Sequence, residues 1–186
     1  MTDDSPFLDL KGTRWVQSAI GSCLYYARAL DNTILATLNQ LGTQQALPTE
    51  NTKKAVKHLL DYVYTYRQTY LQFNASDMIL HVDSDAAYLV LPKARSRIAG
   101  FFRLRNKQNN THKQENGAIL VECKALRWVV TSAAEAETHG VYHNTIITIN
   151  LRTILNGMGH SQPITPVQTN NSTTEGFTQT MNRSSV

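Results

Sequence analysis

The chain has 186 residues, 41% of them hydrophobic and 17% charged, which suits one domain or one domain with an appendage. Its formal net charge of +4 is a modest basic bias, and no apolar run approaches the roughly 18 residues of a membrane-spanning helix. The acidic start at Asp3-Asp4 is unlike the basic and then apolar pattern of a secretory signal. An intracellular protein is therefore expected, with Cys23 and Cys123 as two free thiols and neither a disulfide nor a zinc site.

The first 66 residues read as helical. From Thr13 onward Val16, Ala19, Ile20, Cys23, Leu24 and Ala27 recur at helical spacing. Asp31-Asn32 breaks that stripe and can cap a second helix, whose Ile34, Leu35, Leu38 and Leu41 share a face before Gly42 ends it. Pro48-Thr49-Glu50 opens a third, capped by Thr49 or Asn51, with Val56, Leu59, Leu60 and Val63 inward. These helices suit packing and carry no evident chemistry.

At Tyr66 the period changes. Thr69–Phe73 reads as a short strand, and Asp77–Tyr88 as the central one. Met78, Leu80 and Val82 alternate there with Ile79, His81 and Asp83 before the run closes on Asp83, Asp85, Ala86 and Ala87. Alone, that Asp-x-Asp has two readings: a solvated turn, or carboxylates placed at a strand end to hold a metal. Pro92–Ser96 is expected as a basic loop, Ile98–Leu104 and Ala118–Cys123 as strands, and Asn106–Asn116 as the long polar tip of a hairpin. Trp128-Val129-Val130 is expected to extend the sheet. The basic residues Lys93, Arg95, Arg97, Arg103, Arg105, Lys107 and Lys113, then Lys124 and Arg127, suit either a polyanion or a solvated edge.

Ser132 with Glu135 three residues on is a helix start. Ala136, Gly140, Ile147, Leu151 and Ile154 continue it as a helix to Gly157, although Thr145–Ile149 is β-branched enough to read as a strand. Pro163–Val167 leads into a short strand ending at Gln168-Thr169-Asn170, and residues 172–186 have the composition of a disordered tail. His81 is expected on the face opposite Asp83. His139 and His143, four residues apart on the helix, lack a third metal ligand at clear spacing. Trp15 and Trp128 read as core or sheet-edge aromatics.

Three blocks in this order carry a resemblance. Val82-Asp83-Ser84-Asp85-Ala86-Ala87, Ser132-Ala133-Ala134-Glu135-Ala136-Glu137 and Pro166-Val167-Gln168-Thr169-Asn170-Asn171-Ser172 resemble the ribonuclease H domain of Ty1/copia-type retrotransposon polyproteins. Gly21-Ser22-Cys23-Leu24-Tyr25-Tyr26-Ala27 and Lys54–Tyr62 are similar to the end of the reverse transcriptase that precedes it. The resemblance spans about residues 8–172. It implies an α/β fold, a ribonuclease H-like mixed sheet with helices over 67–171, preceded by a helical connection segment over 1–66. The implied activity is hydrolysis of RNA in RNA/DNA hybrids by two Mg²⁺ (or Mn²⁺) ions. Asp85 and Glu137 would be ligands, with Asp83 adding charge on the Asp85 face and Glu135 as the fallback. Lys93, Arg95, Arg97, Arg103 and Arg105 would meet the nucleic acid.

The chain departs from that family at two points. The third acid of the pattern falls on Asn170, whose amide oxygen brings no charge. The fourth would lie further on, where residues 171–186 hold no aspartate and Glu175 is the nearest acid. The aromatic-x-Asp-Asp turn of a polymerase is absent as well. The expectation is a fragment or relic of a polyprotein, with weak metal binding and little or no nuclease activity. The alternatives are a non-catalytic domain that binds hybrid or other nucleic acid, and a structural fragment without present function. Partners could be a polyprotein neighbour or a second copy, and no membrane is implied.

Overall fold

The structure, a computed structural model, describes residues 3–107 and 116–170. The expected hairpin tip and Lys113 fall almost wholly outside the described residues, as do the tail and Glu175. The chain divides into two compact units, with the break between Leu71 and Gln72.

In the first unit the helical stripes are realised as α1 (Leu10–Ala29), a short 3-10 helix (Asn32–Ile34), α2 (Leu35–Gly42) and α3 (Glu50–Thr65). Asp9 caps α1 by accepting the Gly12 N–H at 2.7 Å. Asp31 accepts the Thr33 N–H at the start of the 3-10 helix. Thr49 caps α3 in a box with Thr52, each hydroxyl accepting the other's backbone N–H at 3.2 Å. Val16, Ile20, Cys23 and Ala27 of α1, Ile34, Leu35, Leu38 and Leu41, and Val56 and Leu59 of α3 are buried.

Thr69–Phe73 forms no strand. A strand needs a ladder partner. This segment makes scattered bonds instead, the Thr69 hydroxyl to the Tyr66 carbonyl at 3.0 Å and the Gly117 N–H to the Gln72 carbonyl at 2.8 Å, while Tyr70 and Phe73 stay exposed.

The second unit is an α/β layer. A mixed sheet is built from β1 (Ile79–Leu91), β2 (Arg95–Arg105), β3 (Ala118–Ala125) and β4 (Val167–Gln168), in the order β3-β2-β1-β4. The first three run antiparallel in succession, whereas β4 lies parallel to β1, pairing Val82 with Val167 and Asp83 with Gln168. Between β3 and β4 the helix α4 (Ala133–Gly157) crosses one face of the sheet. That face is the even-numbered one. Leu80, Val82, Phe102 and Leu104 pack there against Ile147, Leu151 and Leu155 of α4, and Ile98 against Leu126, Val130 and Ala136.

Two expectations about strands change. The central strand does not stop at its acids; it continues to Leu91, because Ala86 and Tyr88 extend the alternation and pack beside Ile98. The basic loop shrinks to the turn Pro92–Ala94, with Lys93 and Ala94 at φ +60° and +51°. Trp128-Val129-Val130 is loop, since Val130 turns inward to the core under α4 and leaves Trp128 and Val129 more than half exposed. Thr145–Ile149 is helical: Asn144 and Thr148 are buried on the sheet side, and Thr148 returns its hydroxyl to the Asn144 carbonyl at 2.7 Å.

The return from α4 to β4 is pinned by two side chains. The Arg152 guanidinium donates to the carbonyls of Pro163 and Gln162 and to the Thr165 hydroxyl. Gln162 accepts the Leu80 N–H at 2.9 Å and donates to the Met78 carbonyl at 2.8 Å. Among the described residues no helix is long and apolar enough to cross a membrane.

Candidate functional site

Asp83 and Asp85 lie in the interior of β1, at the level where β4 stops. They stand on the odd-numbered face, away from α4. Continuing the parallel register of β4 by two residues sets Thr169 beside Ser84 and Asn170 beside Asp85. Asp85 and Asn170 are exposed.

Glu137 reaches the same place from α4. Ser132 caps that helix by accepting the Glu135 N–H at 3.1 Å, which fixes the first turn and carries Glu137 over the sheet. Gly140, one turn on, packs on β1: a β-carbon there would make ordinary contacts, 3.4 Å from Ser84 Oγ and 3.5 Å from the Asp85 carbonyl. Glu137 is 6% exposed. Its carboxylate accepts from the Ala86 N–H and from the Thr169 hydroxyl, the latter at 3.4 Å. Burial, and then the negative charge of Asp85, push its carboxyl above the ordinary range, outweighing those two hydrogen bonds.

The other predicted site residues are placed differently. Glu135 is occupied at the helix start, accepting from the Thr131 N–H at 2.7 Å and the Thr131 hydroxyl at 2.8 Å, and these bonds hold its carboxyl below the usual range. Asp83 is neutralised by Arg103 at 2.7 Å and has His81 at 3.9 Å. His81 therefore shares the face of Asp83, against expectation, because a two-residue step along a strand returns to the same side. Arg95, Arg97, Arg103 and Arg105 alternate along β2 on the face away from α4, half-buried. Lys93 sits exposed in the turn before them. His139 lies 3.9 Å from Glu135 and meets the Trp128 ring edge-on at 5.3 Å, whereas His143 is drawn to Lys124.

Sequence reading missed the Thr169 hydroxyl and the Ala86 N–H, the two groups that orient Glu137. Both depend on strand register, which residue types alone do not reveal.

The groups placed around Glu137 are its own carboxylate, the charge of Asp85, the Ala86 N–H and the Thr169 hydroxyl. Among the described residues no three His, Cys, Asp or Glu side chains converge. Oxygen donors suit a hard cation such as Mg²⁺. Two carboxylates balance one divalent ion, and the mutual repulsion felt by Glu137 is what one such ion would relieve. They do not balance two.

The geometry defines an α/β protein with a mixed four-stranded sheet and one carboxylate pair at its parallel edge. Compared with protein-family models, with curated proteins and with solved structures, the chain matches none.

Proposed function

We propose that residues 72–170 are a ribonuclease H-like domain of Ty1/copia-type retrotransposon descent, derived from a nuclease for RNA/DNA hybrids whose activity is now weak or lost. The observation that carries this reading is the meeting of three separate sequence blocks at Glu137: its carboxylate accepts from the Ala86 N–H of the first, feels the charge of Asp85 beside it, and accepts from Thr169 of the third. The sheet order, with an antiparallel triplet and a parallel strand beside β1, supports this reading. On the same reading the helical residues 3–71 correspond to the end of a reverse transcriptase, and the protein meets nucleic acid inside the cell.

Asp85 and Glu137 would hold a divalent cation, with Ala86 and Thr169 orienting the Glu137 oxygens. In a full site of this kind two bound metals supply an activated water and steady the charge on the scissile phosphate. Asn170 adds an oxygen without charge, so the pair of ions is under-held. The test is cleavage of a labelled hybrid with Mg²⁺ or Mn²⁺ by the natural chain, Asn170→Asp and Asp85→Asn. Little cleavage by the natural chain, a rise with Asn170→Asp and none with Asp85→Asn are expected. Strong cleavage by the natural chain that survives Asp85→Asn would sink the proposal.

A second reading, non-catalytic binding of hybrid or duplex, is favoured by the arginines that alternate along β2. Retained binding that weakens steeply with salt, without cleavage, would select it.

A further inference from the structure

On the other side of α4 from Glu137, between the end of β3 and the first half of the helix, lies a groove of about 650 Å³. That volume falls within the range of small-molecule sites. Its lining includes Lys124, Arg127, Trp128, His139, Tyr142 and His143, and no acidic side chain. Trp128 and Tyr142 are 51% and 67% exposed, and the edge of His139 packs on Trp128. Large aromatic surfaces left open beside cations are suited to a ring and a negative charge together.

The polar groups sharpen this. Lys124 Nζ lies 3.2 Å from His143 Nδ1. An ammonium can only donate, so Nδ1 accepts and the proton of the neutral ring sits on Nε2. Burial, and then the Lys124 charge, hold His143 below its ordinary pKa and favour that neutral form, against a smaller opposing effect of Glu122. Nε2 is buried and has no hydrogen-bond partner. A buried donor without an acceptor is uncommon in a folded protein. Among the described residues, neither Lys124 nor Arg127 has a carboxylate within ion-pair distance, and the neighbouring acid Glu135 is engaged with Thr131 and His139.

We propose that this groove binds a small planar aromatic ring bearing an anionic group, the ring against Trp128 and Tyr142 and the anion at Lys124 and Arg127. An aromatic carboxylate and a mononucleotide share this chemistry. The site contains none of Asp85, Glu137 and Asn170, so it stands apart from the proposed nuclease ancestry.

The test uses the full chain with Trp15→Phe, which leaves Trp128 as the single indole, and follows its N–H by ¹⁵N NMR. The probes are 1-naphthoate, adenosine 5′-monophosphate and the neutral 1-naphthalenemethanol. Saturable shifts of the Trp128 indole with 1-naphthoate or the nucleotide are expected, and which of the two binds tighter separates the sources. Lys124→Gln and Tyr142→Ala should each weaken that binding about tenfold. Far-ultraviolet circular dichroism checks that each variant is folded. No saturable shift with either anion up to about 5 mM overturns the proposal. So does equal affinity for the neutral alcohol, or unchanged affinity in folded Lys124→Gln.

Discussion

Gly100 on β2 and Asn144 on α4 meet so closely that a β-carbon at position 100 would lie 2.4 Å from the Asn144 side-chain oxygen. Asn144 cannot easily give way, because it is buried and its amide donates to Ser84 Oγ at 2.9 Å and to the Ala99 carbonyl at 2.8 Å. Helix and sheet are locked together one strand away from Asp85. Gly100→Ala is expected to destabilise the protein by about 1–3 kcal/mol through overpacking. Urea denaturation should show a lower midpoint at unchanged slope. In an Asn144→Ala background the same substitution should cost less, since the two positions share one contact. Strict additivity would contradict this account.

Glu137 gives stability a definite pH dependence. Its carboxyl is raised in the folded state, so the folded chain holds that proton more tightly than the unfolded one. Its favourable contribution is present below the ordinary glutamate value of 4.5 and is lost as pH rises through the higher folded value. Glu137→Gln should therefore stabilise the protein at neutral pH, with an advantage that shrinks on acidification. Midpoints measured between acidic and neutral pH for both chains check the sign.

On the proposed reading, a divalent cation held by Asp85 and Glu137 would relieve their repulsion. A cation that binds only the native site raises the melting temperature by mass action. With Mg²⁺ in the millimolar range, the natural chain should show a small rise, Asn170→Asp a larger one and Asp85→Asn none. Differential scanning fluorimetry at neutral pH with matched ionic strength reads the order.

In the helical unit, Thr49 is the capping residue of α3 and also bonds Asp3. Thr49→Ala removes the side-chain half of the box and should cost about 1 kcal/mol, whereas Thr49→Ser should cost less. Thermal unfolding followed by Trp15 fluorescence in a Trp128→Phe background checks both.

Much of this architecture was legible because burial imposes a period. The stripes Val16–Ala27 and Val56–Leu59, and the alternation through Leu80 and Val82, are what one covered face leaves in a sequence. The start of α4 was legible too, since Ser132 with Glu135 three residues on marks a helix cap. What failed was decided by partners. Thr69–Phe73 has the aromatic and β-branched content of a strand but no ladder. Thr145–Ile149 has the same content, and the helix expected there stands because Ser132 caps α4 and Asn144 and Thr148 are held on its sheet side. β1 ends at Leu91, three residues past the expected Tyr88, and Arg103 makes Asp83 tolerable in its interior on a half-covered face. The roles of Thr169 and Ala86 depend on a parallel pairing only two residues long, too short to mark the sequence.

The side-chain amide of Gln162 does for β1 what another peptide group would do. By accepting from Leu80 and donating to Met78 it occupies the backbone positions at the start of the strand, where the neighbouring two-residue strand has not yet begun. An open edge of that kind is a template on which a strand from another molecule can add. Gln162 thus acts as a one-residue seal against self-association. Replacing it would expose sticky backbone while leaving the hydrophobic core whole, so the damage should appear first as concentration-dependent oligomers and only later as lost fold.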